Sequence, residues 1–241
     1  MTDLLLVLAA ALWGAAAGAF LPRAAYRFSA PAGEPWRDNC PEGHPVRGWL
    51  GRAHCTTCAR SYGLGVVPLS LATAAVCAAL AAATGTRPEL GVWLLLAPLG
   101  VLLAVVDFRV QRLPDPLTLP LAGAALVLLG VVALVPEHAG EWTTALYGAL
   151  ALGGGYLVLF LINPAGMGFG DVKLALGTGA VLGWYGWSTL MLGTFAGFLL
   201  GALYGGALVV VRRAGRKTSI PFGPFLIAGA FLGLLIGAYT A

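Results

Sequence analysis

Charge is what this sequence has least of. Lys, Arg, Asp and Glu together make up 10% of its 241 residues, against about 25% in a typical soluble domain. That scarcity excludes an ordinary water-soluble fold. Long internal repeats and low-complexity tails are also absent, and no two halves of the chain resemble each other. The first apolar run begins close to Met1 with no basic stretch ahead of it, and further apolar runs follow. It therefore reads as a retained helix and not a cleaved signal.

What is present is hydrophobic. Apolar residues reach 59% and mean hydropathy is +0.86, the composition of an integral membrane protein. Eight apolar runs stand at about 4–21, 64–84, 90–106, 117–135, 143–162, 173–186, 187–211 and 221–240, mostly near the ~20 residues that one span needs. The stretch 173–211 is too long for a single helix, and Gly183-Trp184-Tyr185-Gly186-Trp187 reads as an interfacial turn within it. The expected fold class is an all-α polytopic membrane protein of about eight transmembrane helices.

Basic residues set the orientation. The segment 22–62 carries Arg23, Arg27, Arg37, Arg47, Arg52 and Arg60. The following connections on the same side carry Arg109 and Arg112, then Lys173, then Arg212, Arg213, Arg216 and Lys217. The opposite side has only Arg87. The positive-inside bias then puts both termini outside and the basic loops in the cytoplasm. It also accounts for the formal +4 charge and pI near 9.0, so no nucleic-acid partner is needed. Gly193, Gly197, Gly201 and Gly205 recur on one helical face and read as a packing stripe. Gly153-Gly154-Gly155 reads as a similar packing site or a weak point in its helix, and Cys77 as packing inside an apolar helix.

Two carboxylates border apolar runs: Asp107 in VLLAVVDFRVQRLPD and Asp171 in GMGFGDVKLALG. Ionisable groups so close to the hydrocarbon are costly and mark function. Two converging carboxylates share a proton; one then acts as base toward water while the other donates to a substrate carbonyl. Structural readings stand beside this one. Asp115, in Leu113-Pro114-Asp115-Pro116, fits a helix N-cap with Pro at the first helical position. Asp107 also fits a membrane-edge charge paired with Arg109 or Arg112, and Asp171 a cap on a helix beginning at Val172. An ion- or proton-coupled transporter using Asp107 and Asp171 is the alternative function, and a scaffold that anchors assembly partners is a third.

Taken together the motifs resemble the type IV prepilin peptidases, GxGD-type intramembrane aspartic proteases. The resemblance lies in Gly168-Phe169-Gly170-Asp171-Val172-Lys173-Leu174, in Asp107-Phe108-Arg109 followed by Leu113-Pro114-Asp115 and Leu117-Thr118-Leu119-Pro120, and in Ile220-Pro221-Phe222-Gly223-Pro224-Phe225. It implies a catalytic pair, Asp107 and Asp171, with Gly168, Gly170 and Lys173 supporting the motif. It also implies prepilin or pseudopilin substrates whose basic leader is removed at the cytoplasmic face of a bacterial inner membrane. Proteolysis of this kind needs no cofactor. Glu34, Asp38 and Glu42 are the acids available to meet a basic leader. Residues 1–62 would form a first helix plus a cysteine-containing loop, and 63–241 the peptidase domain.

The resemblance further implies a second activity, methylation of the new N-terminus with S-adenosylmethionine, associated with the N-terminal region and a loop bearing two CxxC pairs that binds zinc. Cys55-Thr56-Thr57-Cys58 is intact here, but Cys40-Pro41-Glu42-Gly43 has Gly43 where a second cysteine belongs. Three Cys and one His suffice for a structural zinc site. Cys40, His44, Cys55 and Cys58 are the expected ligands, with His54 as an alternative to His44. Ala19 and Pro22 stand where the family commonly has Ser and Asn. Proteolysis is therefore the expectation, and methylation is left open.

Overall fold

The computed structural model describes residues 2–164, 166–211 and 220–241. The basic cluster Arg212, Arg213, Arg216 and Lys217 lies outside the described residues. Within them the chain forms eight helices: α1 (Thr2–Phe28), α2 (Val66–Thr84), α3 (Glu89–Val110), α4 (Asp115–Val132), α5 (Trp142–Ile162), α6 (Phe169–Gly183), α7 (Trp187–Val210) and α8 (Gly223–Thr240). Seven of these are long and apolar enough to cross a membrane. The exception is α6, with fifteen residues. At 1.5 Å per residue it is about 22 Å long, short of the ~30 Å hydrocarbon core. The expected turn between α6 and α7 is present, with Gly186 at φ +95°.

The chain divides into two compact units, residues 1–86 with 90–112, and residues 87–89 with 113–241. In the first, α1 packs along α2. Gly14 and Gly18 make that possible, because a Cβ at either would stand 2.6 Å from a carbonyl oxygen of α2, at Thr73 or Leu69. Cys77 is fully buried in the same interface, facing Gly14. The Trp13 indole N–H donates to Leu94 O of α3 at 2.9 Å.

The sequence reading ends the first span at residue 21, but α1 continues through Pro22 to Phe28. Proline lacks the N–H that a helix interior needs. Gly51, from the following loop, pairs with the helix on either side of Pro22: its N–H donates to Phe20 O at 2.7 Å and its carbonyl accepts from Arg23 N–H at 3.0 Å. The loop's other anchors are arginines. Arg23 donates to the carbonyls of Arg47 and Arg52. Arg27 pairs with Asp38, donates to Gly48 O and lies 3.9 Å from the Trp49 ring centroid. Arg112 donates to Pro31 O and Glu34 O at 2.8 and 2.9 Å, and its guanidinium stacks 4.0 Å over Trp36.

In the second unit α6 is the central helix, packed against α4, α5, α7 and α8. Protein lines most of its surface, so a short helix is sufficient there. The glycine stripe of α7 faces α8: a Cβ at Gly197 would stand 3.0 Å from Phe225 O, which confirms the packing reading. Of the triplet in α5, Gly153 faces Leu176 while Gly154 and Gly155 have nothing against them. Glu89 is fully buried and accepts from the Ala139 N–H and the Tyr185 hydroxyl, both at 3.3 Å.

Candidate active site

Asp107 lies in the last turn of α3 and is 4% exposed. The helix closes immediately beyond it. Gln111 takes a left-handed φ of +52°, and its N–H donates to Asp107 O at 2.8 Å.

Asp171 is 7% exposed and occupies the third position of α6, not a capping position ahead of Val172. The N-cap is Gly168, whose N–H donates to Asp171 Oδ2 at 3.2 Å. Gly168 has no side chain, so only the returning half of a capping box exists. The two motif glycines differ in their constraint. A Cβ at Gly170 would stand 2.8 Å from Leu113 Cβ, whereas one at Gly168 would sit at an ordinary 3.4 Å from Asp171 Oδ2.

Lys173 bonds sideways, with Nζ 2.6 Å from Asp115 Oδ2 and 4.9 Å from the Phe169 ring centroid. Asp115 is the first residue of α4, behind an N-cap at Pro114, and its side chain makes no cap hydrogen bond. The expected N-cap is therefore corrected to an ion-pair partner. A carboxylate at that position still complements the helix dipole.

Facing Asp171 is a residue that the sequence does not single out. In α5 and α6, a Cβ at Gly148 would stand 2.5 Å from Gly179 O, and one at Gly183 would stand 2.5 Å from Thr144 O. The helices therefore run antiparallel, with 144 opposite 183 and 148 opposite 179. Two further four-residue steps bring Tyr156 opposite Asp171. Tyr156 is 2% exposed, and its hydroxyl has no hydrogen-bond partner among the described residues. Phe198 and Phe222 pack against its ring, each at 5.9 Å between centroids. A single tyrosine in an apolar span carries no periodic or motif signal, and only the helix register exposes its place.

A second cluster stands in the loop of the first unit. The ligand atoms of Cys40, His44, Cys55 and Cys58 all lie within 4.8 Å of one another. Cys40 Sγ is 3.6 Å from His44 Nδ1 and 4.0 Å from Cys58 Sγ. A tetrahedral metal with bonds of about 2.3 Å to sulfur and 2.0–2.1 Å to nitrogen requires separations of about 3.8 and 3.6 Å, so the set can hold a metal ion. A hydrogen bond from the Cys58 backbone leads in drawing the Cys55 thiol down to about 6, while burial raises that of Cys58. His54 stands outside the cluster, exposed and bridged to Ser61. Two of the acids available to a leader are engaged, Asp38 with Arg27 and Glu42 with Arg60.

Comparison with known proteins places this geometry. The model of the type IV leader peptidase family matches residues 94–206, a stretch that includes both aspartates. The prepilin leader peptidase/N-methyltransferase of Pseudomonas aeruginosa is 33% identical over 220 residues, covering 82% of this chain and 71% of that protein. Its counterpart in Aeromonas hydrophila is 35% identical over 213 residues, covering 81% and 67%. The Escherichia coli protein of the same name is 36% identical over 176 residues, covering 70% and 72%. No solved structure matches the chain. With relatives this similar aligned along most of its length, the chain is a multi-pass membrane protein that belongs to the type IV leader peptidase family.

Proposed function

We propose that this chain is an aspartic endopeptidase that removes the basic leader from prepilins or pseudopilins at the cytoplasmic face of a bacterial inner membrane, with Asp107 and Asp171 as its catalytic pair. The observation that carries the reading is the burial of both carboxylates at helix ends, in a chain of this family with only 10% charged residues. Asp107 ends an odd-numbered helix and Asp171 begins an even-numbered one, so a simple alternation of spans brings both to one membrane face. The transporter alternative falls with the family.

The chemistry needs one ionised and one protonated carboxyl group. Asp171, in the first turn of α6 where backbone N–H groups favour negative charge, suits the base. It takes a proton from water as the oxygen attacks the scissile carbonyl carbon. Asp107, in the last turn of α3, suits the acid and donates its proton to the carbonyl oxygen. Collapse of the tetrahedral diol breaks the C–N bond: the proton held on Asp171 passes to the leaving amine, and a diol hydroxyl returns its proton to Asp107. No covalent intermediate forms. Gly168 and Gly170 shape the turn that presents Asp171, and Lys173 anchors it to α4.

Zinc suits the Cys40–His44–Cys55–Cys58 set and would there bind the two halves of the loop together. N-methylation with S-adenosylmethionine as co-substrate is the second activity in the relatives' name. One experiment tests the core of this reading. The detergent-purified protein is incubated with a prepilin bearing a basic leader, alongside Asp107→Asn and Asp171→Asn, and the mass of the product N-terminus is read with and without S-adenosylmethionine. Leader loss with wild type and with neither variant is expected. Cleavage that survives either substitution overturns the dyad, and a methyl increment reports the second activity.

A further inference from the structure

A buried hydroxyl without a partner is expensive when no hydrogen bond replaces water. Most such groups in folded proteins are satisfied, and an exception requires a reason. Tyr156 is such an exception. It is 2% exposed and its hydroxyl finds no partner among the described residues. A phenylalanine at this position would keep the contacts with Phe198 and Phe222 without the cost, so packing alone does not account for the oxygen.

The place of that oxygen supplies the reason. The register fixed by Thr144 with Gly183 and Gly148 with Gly179 sets Tyr156 across from Asp171. The Asp171 carboxylate already takes the Gly168 N–H. The tyrosine thus brings an uncommitted donor to the part of α5 that faces the Asp171 end of α6. Two aromatic neighbours fix its ring, so little reorganisation is needed when an acceptor arrives. Phe222 belongs to the Ile220–Phe225 stretch that the sequence marks as a motif, and bracing the tyrosine gives that stretch a physical role.

We propose that Tyr156 is a further catalytic residue, whose hydroxyl donates a hydrogen bond to the peptide carbonyl beside Asp171 as the carbonyl oxygen gains charge. This rests on the peptidase reading above. The donor would stabilise the transition state more than bound substrate, because negative charge on the oxygen develops only there. Losing one such donor typically costs on the order of 10²-fold in kcat.

The test compares wild type, Tyr156→Phe and Asp171→Asn on the same prepilin, measuring kcat, KM and thermal midpoint in the same detergent. The expected result for Tyr156→Phe is a fall in kcat of about 10- to 100-fold, a KM within about threefold, and a thermal midpoint equal to or above wild type. That combination is one that a merely structural hydroxyl cannot give. Unchanged kcat in Tyr156→Phe, with Asp171→Asn inactive, overturns the inference and leaves the peptidase reading intact. A midpoint and a kcat that fall together assign the hydroxyl to folding and also overturn it. Equal cleavage by wild type and Asp171→Asn, or none by wild type, defeats the underlying reading and the inference with it.

Discussion

Lys173 in α6 and Asp115 at the start of α4 are joined by an ion pair with Nζ 2.6 Å from Oδ2. Lys173 is largely enclosed, its side chain 18% exposed, while that of Asp115 is 59% exposed. The pair fastens the helix that bears Asp171 to its neighbour, and it gives the third aspartate of the region a partner of its own.

Asp115→Asn should therefore lower stability by about 1 kcal/mol or less, as partly exposed ion pairs do, and leave leader cleavage within about threefold of wild type. A thermal midpoint and a cleavage rate measured on one preparation check this. Loss of cleavage with an unchanged midpoint would place Asp115 in the chemistry instead.

The two motif glycines should respond differently. Gly170→Ala drives a methyl against Leu113, where a Cβ has 2.8 Å to the nearest atom, and should cost about 1–3 kcal/mol. Gly168→Ala meets nothing closer than 3.4 Å and should be tolerated. Thermal melts of wild type and the two variants decide, and equal damage at both glycines would show that the constraint is not this contact.

Metal content should follow the cluster. His44→Ala and Cys55→Ser should each lose bound zinc, by elemental analysis of the purified protein, while His54→Ala should keep it. Chelation should speed proteolysis of the 29–65 loop and leave leader cleavage in place. Retention of metal in His44→Ala would point to a different fourth ligand.

Gly51 sits at φ +111°, a conformation that costs a residue with a Cβ about 1–3 kcal/mol. Gly51→Val should loosen the pairing at Pro22 and raise the rate of loop proteolysis, with little effect on the second unit. An unchanged proteolysis rate would remove Gly51 as the splice that carries α1 beyond its proline.

Much of this molecule is legible in its residues. Apolar runs locate all eight helices, because a span must satisfy its backbone within itself and needs a fixed length. Gly183–Trp187 marks the turn before α7, and two carboxylates bordering apolar runs stand out as the proposed pair. The differences between sequence and structure share a cause. The sequence ends α1 too early because proline breaks an isolated helix, and the Gly51 that pairs with the helix there comes from far along the chain. Asp115 reads as a cap because capping is a local rule, whereas its partner Lys173 arrives from another helix. The loop arginines read as topological charges, yet Arg23, Arg27 and Arg112 clamp carbonyls that no spacing reveals. His54 stays open as an alternative to His44 until the loop folds and gathers His44 with the cysteines.

Composition, run length and rare charges act one residue or one segment at a time, so the residues alone point to a lipid environment, to the helices of the described residues and to the two aspartates that stand out. Which side chains meet depends on the folded chain. It put Lys173 on Asp115 and His44 with three cysteines, and brought Tyr156 opposite Asp171. Those pairings depend on how closely one helix approaches another, and that distance is set by glycines such as Gly148 and Gly179 meeting across an interface.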